Sequence, residues 1–174
     1  MNADQLKTFI RDVPDFPKPG IVFKDITPLL RSAEALEHTC ALLAEPFRAQ
    51  NVNLVAGIES RGFIFGSIVA RNLGAGFIPI RKPGKLPWTT RRHEYILEYG
   101  SDALEIHDDA LVPGDRVLVI DDVLATGGTL AAAMSLVRGF DATLIGAATV
   151  IELDFLSGRE KLDQNAKFHS LLRY

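Results

Sequence analysis

Apolar and polar positions along the chain fall into short buried runs separated by helical stripes. NLVAGI (53–58) is a short apolar strand, GFIFGSIVARNL (62–73) a helix and GFIPI (76–80) a second strand. The order recurs further on. RVLVID (116–121) is apolar on both faces, as a central parallel strand must be, TGGTLAAAMSLVRGF (126–140) reads as a helix and ATLIGAATVIE (142–152) as a strand. Helices placed between successive apolar strands predict an α/β fold, a mostly parallel twisted sheet flanked by helices. KFHSLL (167–172) adds an edge strand.

The flanking segments are less regular. Residues 4–13 read as a helix, with Asp4 as N-cap and Leu6, Phe9, Ile10 and Val13 on one face, stopped by Pro14, Pro17, Pro19 and Gly20. IVFKDITPLL (21–30) has no clean period. Ser32 caps a helix that runs to about Gln50, and Leu36, Cys40, Leu43 and Phe47 form its stripe. RKPGKLPWTTRRH (81–93) is a loop, long for a compact domain, and length of that kind points to function. EYILEY (94–99) alternates like an exposed hairpin strand, with LEI (104–106) opposite it across Gly100, Ser101 and Asp102.

Composition narrows the classes. The 174 residues fit a single domain, 1–174. Lys and Arg number 19 against 22 Asp and Glu, a net charge of −3, which argues against nucleic acid as the default partner. The single Cys40 excludes an intrachain disulfide framework and a multi-cysteine zinc site, and suits a reducing, cytoplasmic setting. No apolar run reaches the ~18 residues of a membrane span, and the charged N-terminus does not read as a signal peptide, so no membrane partner is expected.

The informative run is VLVIDDVLATGGT (117–129). A buried strand ends in two adjacent carboxylates, Asp121 and Asp122, and a glycine pair then opens a helix. In open α/β sheets ligands bind beyond the carboxyl ends of the strands. A helix N-terminus offers unpaired N–H groups and partial positive charge, which suits phosphate. Gly127 and Gly128 let backbone approach oxygen closely, and Thr126 and Thr129 add hydroxyls. Neither the Walker A pattern nor the G-x-G-x-x-G fingerprint is present in the required context. Carboxylates repel a phosphate but accept hydrogen bonds from sugar hydroxyls, so ribose bearing a 5′-phosphate fits both halves of the motif.

This run resembles the signature of the type I phosphoribosyltransferases. DFPKPGIVFKDITPLL (15–30), AGIESRGFIFG (56–66), IPIRKPGKLP (78–87), EYILEYGSDALEIHDDAL (94–111) and IELDFLSGREKL (151–162) extend the likeness from about Val13 onward. Together they resemble the adenine phosphoribosyltransferase family. The resemblance implies a small N-terminal base-binding hood over about residues 1–32 and a mobile lid at about 81–93. It also implies a homodimer that makes AMP and pyrophosphate from adenine and phosphoribosyl pyrophosphate, with Mg²⁺ carried on the substrate.

The same resemblance assigns roles. Asp121 and Asp122 bind the ribose hydroxyls, and Ala125, Thr126, Gly127, Gly128 and Thr129 hold the 5′-phosphate. Ser60 and Arg61, beside a cis Glu59–Ser60 peptide, bind pyrophosphate, with Arg61 also counted as catalytic; on the residues alone, Arg61 could instead pair with Glu59. Arg81, Lys82 and Lys85 gather around pyrophosphate, and Arg91 and Arg92 add cations to the lid. Val22 and Lys24 read the adenine edge through main-chain groups, Phe23 stacks on the ring and Val123 covers its other face. Glu98 and Tyr99 contact the base, Glu98 as the group that accepts the imidazole proton. Trp88 and the run Thr90-Arg91-Arg92-His93 depart from the usual lid. The rival readings are a transferase for a 6-oxo purine or pyrimidine, and a non-catalytic regulator that senses phosphoribosyl pyrophosphate.

Overall fold

The structure is a computed structural model that describes residues 1–97 and 100–174. In chain order its elements are α1 (Ala3–Lys7), β1 (Arg11–Pro14), β2 (Val22–Asp25), α2 (Thr27–Arg31), α3 (Ala33–Ala44), β3 (Leu54–Ile58), α4 (Gly62–Leu73) and β4 (Gly76–Ile80), followed by β5 (Thr90–Leu97), β6 (Gly100–His107), β7 (Arg116–Leu124), α5 (Gly128–Arg138), β8 (Thr143–Glu152) and β9 (Lys167–Arg173). Five strands form one wholly parallel sheet in the order β4-β3-β7-β8-β9. Two antiparallel pairs stand apart from it, β1–β2 and β5–β6.

The period of two along β7 divides the interior. Val117 and Val119 face one core, with α5, Tyr95, Leu104 and Ile106. Leu118 and Ile120 face the other, with Leu6, Leu29, Leu43, Phe47, Phe65 and Val69 from the helices of the chain's first half. Both faces of the central strand are thus covered, which is why its sequence is apolar throughout rather than alternating. Cys40 is buried in the second core, and burial pushes its thiol up to about 12, so it packs as a small apolar group.

The sheet matches the expected α/β architecture, and the differences lie at its margins. The N-terminal helix is one short turn, not 4–13. Asn2, not Asp4, caps it, in a reciprocal box with Gln5. Val13 belongs instead to β1, opposite Phe23 in β2, because long-range pairing overrides the local stripe. Ser32 does cap α3, accepting the Ala35 N–H at 3.2 Å, but the α-helix ends at Ala44. Residues 45–50 continue as a 3₁₀ helix with Pro46 in its first turn. The segment 81–93 is a loop only to Thr89; Thr90 to His93 are already in β5, opposite His107 to Leu104. Gly100, Ser101 and Asp102 are not a connection but the start of β6, paired with Leu97, Ile96 and Tyr95.

A buried acid anchors the far end of β8. Glu152, 4% exposed, accepts two hydrogen bonds from Arg159 at 2.9 and 2.6 Å and one from the Ser170 hydroxyl, with Arg173 3.7 Å away. The bonds from Arg159, then Ser170, hold its carboxyl below the usual range. The folded protein therefore holds this proton less tightly than the unfolded chain. The stabilisation is full above about pH 4.3, the unfolded value, and is lost as pH falls through the lower folded value. Glu152→Gln is expected to lower unfolding free energy at pH 7 by about 1.5–3 kcal/mol, the contribution of hydrogen bonds to a charged group. Denaturant titrations over pH should show that gap closing below about pH 4; a gap independent of pH would contradict the account.

Candidate active site

The cleft opens beyond the carboxyl ends of β3 and β7. Its cavity of about 490 Å³ is lined by Ser60, Arg61, Lys82, Asp121, Asp122 and Val123, and by Ala125 through Thr129. The floor is the end of β7. Asp121 and Asp122 are 8% and 5% exposed, and the Asp122 backbone N–H donates to Asp121 Oδ1 at 2.8 Å. Burial raises the Asp121 carboxyl well above the usual range, and the neighbouring Asp122 charge raises it further. Burial also raises Asp122, against the pull of Arg61, whose Nε lies 2.8 Å from Asp122 Oδ2.

Close packing sets the two loops at this floor. Gly62 opens α4 against β7: a Cβ there would lie 2.8 Å from the Ile120 carbonyl oxygen and 3.1 Å from Asp121 Oδ1. The Glu59–Ser60 peptide that leads into it is cis, as the ESRG segment led us to expect. Arg61 then turns back over the cleft to Asp122, not to Glu59. The chain leaves β7 through Gly127, at φ +83°, and enters α5 at Gly128, so the first N–H groups of that helix face the cavity. A Cβ on Gly127 would collide with the Gly158 carbonyl, and one on Gly158 with that of Ala125. The segment after β8 is therefore packed directly under the Ala125–Thr129 loop, and the Glu152–Arg159 pair fixes it there.

The cations separate by what they touch. Lys82 lines the cleft. Arg81 does not: its Nε donates to Glu59 Oε2 at 3.0 Å and its Nη1 to the Lys85 carbonyl at 3.2 Å. Glu59 also accepts the Lys82 backbone N–H at 2.8 Å, so one carboxylate clamps the base of the loop. Lys85 is exposed on that loop and outside the cavity. Arg91 and Arg92 are not free cations of a lid. Arg91 is held by Asp108 at 2.5 Å, by the Gly139 carbonyl at 2.7 Å and over the Phe140 ring, and Arg92 pairs with Glu94 at 2.9 Å. Their place in β5, rather than in a loop, explains this.

In the β1–β2 pair, Phe23 lies under the Arg61 guanidinium, 5.5 Å from its carbon, with Phe16 packed on its edge. Val22 and Lys24, on the opposite face of β2, line a second groove of about 580 Å³ with Leu153, Phe155, Leu156 and Tyr174. Lys24 pairs with Asp12 at 2.7 Å and sits 4.1 Å over the Tyr174 ring. Glu98 and Tyr99 lie outside the described residues. Sequence reasoning missed three residues that the geometry brings to the site: Gly158, Tyr95 and Asp102. The pair Ser157-Gly158 within the quoted SGRE run signalled a turn; nothing local distinguished Tyr95 and Asp102, which act across the hairpin.

A parallel sheet with paired acids and a glycine loop at one strand end has the form of a phosphoribosyl transferase domain, and the family model of that description matches residues 26–171. The adenine phosphoribosyltransferase of Nitrosococcus oceani is 56% identical over 98% of this chain and 99% of its own. The crystal structure of the enzyme of that name from Rhodothermus marinus is 50% identical, with a TM-score of 0.94 over 99% of this chain and 98% of the other. A more distant one, from Trypanosoma brucei in complex with AMP, pyrophosphate and ribose-5-phosphate, is 26% identical with a TM-score of 0.88, covering 98% and 79%. The chain belongs to the adenine phosphoribosyltransferase family.

The raised carboxyl of Asp121 has a consequence for the free protein. Folding favours its protonated form, so the penalty for ionising it grows as pH rises from about 3.9, the unfolded value, through the higher folded one. Asp121→Asn keeps an acceptor for the Asp122 N–H and removes the charge. It is expected to melt higher than the wild type at neutral pH, by about 2–4 °C for each kcal/mol relieved in a chain of this size, and no higher at acid pH. Scanning calorimetry at both pH values checks this; a lower melting temperature at neutral pH would contradict it.

Proposed function

We propose that this cleft joins adenine to the ribose 5-phosphate of phosphoribosyl pyrophosphate, giving AMP and pyrophosphate. The observation that carries the reading is the buried Asp121–Asp122 pair opening onto the Ala125–Thr129 loop in one cavity with Ser60, Arg61 and Lys82. The N–H groups at the start of α5 and the hydroxyls of Thr126 and Thr129 receive the 5′-phosphate. Asp121 and Asp122 accept hydrogen bonds from the ribose hydroxyls. Ser60, Arg61 and Lys82 surround the pyrophosphate, where cations stabilise the charge that grows on the leaving group. Arg81 contributes by holding Glu59 and the loop, and Lys85 approaches from the exposed side.

The transfer breaks the bond from the anomeric carbon to pyrophosphate, which departs with the electron pair, and an imidazole nitrogen of adenine forms the new bond. The anomeric carbon gains cation-like character on the way, as in glycoside hydrolysis. Glu98 accepts the proton that the imidazole ring releases, and Tyr99 contacts the base beside it. Phe23 and Val123 take the two faces of adenine. β2 belongs to a two-stranded pair and so has one open edge, from which main-chain groups of Val22 and Lys24 read the amino group and ring nitrogen. Mg²⁺ would arrive on the substrate, with Asp121 and Asp122 the carboxylates nearest to it, and would neutralise part of the pyrophosphate charge. The hood at about 1–32, the lid within 81–93, a cytoplasmic setting and a homodimer complete the reading. Among the described residues no helix is long and apolar enough to cross a membrane.

The test is product formation from phosphoribosyl pyrophosphate with adenine, hypoxanthine, guanine or orotate, with and without Mg²⁺. Formation of AMP from adenine, with the others used poorly, is expected, along with roughly ten- to a hundredfold loss in Asp122→Asn, the size of a charge-assisted contact. Efficient use of hypoxanthine, or no product from any base, would overturn the reading. Glu98→Gln is expected to slow single-turnover AMP formation by about 10²–10⁴-fold while phosphoribosyl pyrophosphate binds as before. An unchanged single-turnover rate would remove the proton role.

A further inference from the structure

Lys82 is the cation of the 81–85 run that enters the cleft, and it does not enter alone. Its ammonium is ion-paired with Asp102 in β6 and lies 3.1 Å from the Tyr95 hydroxyl in β5. The same hydroxyl donates to Asp102 Oδ2 at 3.1 Å and lies 3.3 Å from Thr129 Oγ1, in the loop that opens α5. The other Asp102 oxygen accepts the Ala103 backbone N–H at 2.8 Å. Three chain segments, the loop after β4, the β5–β6 hairpin and the phosphate loop, thus meet at four side chains.

Stability does not explain the cluster. The Lys82 and Asp102 side chains are 37% and 31% exposed, and ion pairs this accessible to water contribute little to folding. The arrangement does limit a long side chain. A lysine ammonium on a flexible stem samples many positions, and an acceptor fixed to the backbone, as Asp102 is, removes most of them. The hydrogen bonds that the ammonium donates to Asp102 and Tyr95 outweigh the burial that would lower the lysine, and its affinity for its proton is raised. The ammonium so held borders the same cavity as Arg61 and Asp122.

We propose that Asp102 and Tyr95 are positioning residues that hold the Lys82 ammonium at the pyrophosphate side of the cleft, and that Tyr95 ties this placement to Thr129 of the phosphate loop. The proposal rests on the reading of Lys82 as a pyrophosphate contact. It also has a rival of opposite sign, in which Asp102 sequesters Lys82 from the substrate.

Steady-state kinetics on Asp102→Asn, Lys82→Met and the double variant decide the matter, with KM for phosphoribosyl pyrophosphate and for adenine measured separately. Asp102→Asn is expected to raise KM for phosphoribosyl pyrophosphate by about tenfold, a coupling typical of contacting charged groups, and to leave KM for adenine unchanged. The effect should vanish in the Lys82→Met background, because Asp102 acts through that ammonium; a purely structural role would give additive losses instead. Tyr95→Phe keeps the ring and removes the hydroxyl, so a smaller rise in the same constant is expected, and it carries the same cycle if Asp102→Asn proves unstable. If Lys82→Met is impaired while Asp102→Asn is silent, additive or improved in KM, the positioning role is overturned and the pyrophosphate reading of Lys82 stands. If Lys82→Met is itself silent, both fall.

Discussion

Two carboxyls buried side by side at the end of β7 set the terms for everything around them. Asp121 and Asp122 resist ionising together, because burial disfavours the charge of each and the Asp122 charge further disfavours that of Asp121. The surrounding chain answers with Arg61 on Asp122, with backbone N–H groups, and with the start of α5 beyond. Those responses are incomplete by design of the cleft: one guanidinium serves two acids. In the proposed reading, hydroxyl donors on the ribose supply what the protein withholds, so the unfavourable electrostatics of the free site become affinity for a polyol. Close contact enforces the same geometry. Gly62 must lack a side chain for α4 to approach Asp121, and Gly158 must lack one for the phosphate loop to close over it.

Another buried acid is treated differently. Glu152 is as buried as the cleft acids, yet its carboxyl is held low because two guanidiniums and a hydroxyl converge on it. A satisfied buried acid is structural, and this one pins the segment that carries Gly158. An unsatisfied pair is a binding site. The contrast lies in what the neighbouring elements contribute, since in both cases an acid stands near the C-terminal end of an apolar parallel strand.

That contrast explains what the amino-acid sequence disclosed and what it withheld. The inner parallel strands and their helices were legible because each is a continuous apolar run or a stripe of ten or so residues, and burial of β7 on both faces leaves little ambiguity there. VLVIDDVLATGGT was legible for a related reason: strand, acids, glycines and helix are contiguous, so their juxtaposition survives folding. The short elements were not. Val13 obeys its partner Phe23 rather than the helical stripe of Leu6 and Phe9, and Thr90 through His93 obey their partners across β6. Side-chain direction was withheld most of all. Arg81, Lys82 and Lys85 are near neighbours in the chain, yet Glu59 claims the first, the cleft receives the second and solvent the third.

Specificity and chemistry fall on different parts of the molecule. The parallel sheet fixes the acids and the Ala125–Thr129 loop through two cores that enclose its central strand on both faces, which gives the rigidity that the proposed placing of a ribose phosphate requires. The β1–β2 pair is outside that sheet and is held to the rest of the chain by individual contacts, Lys24 on Tyr174 on one side and Phe23 beneath Arg61 on the other. If this pair reads the base, as proposed, an attachment of this kind lets it adjust to a flat aromatic ring without disturbing the floor. Because Arg61 touches both Phe23 and Asp122, the reader and the floor share one guanidinium. Displacing Arg61 from Asp122 toward an anion would alter the surface over Phe23 as well, so occupancy of the proposed phosphate side and the shape of the proposed base side are physically joined at that residue.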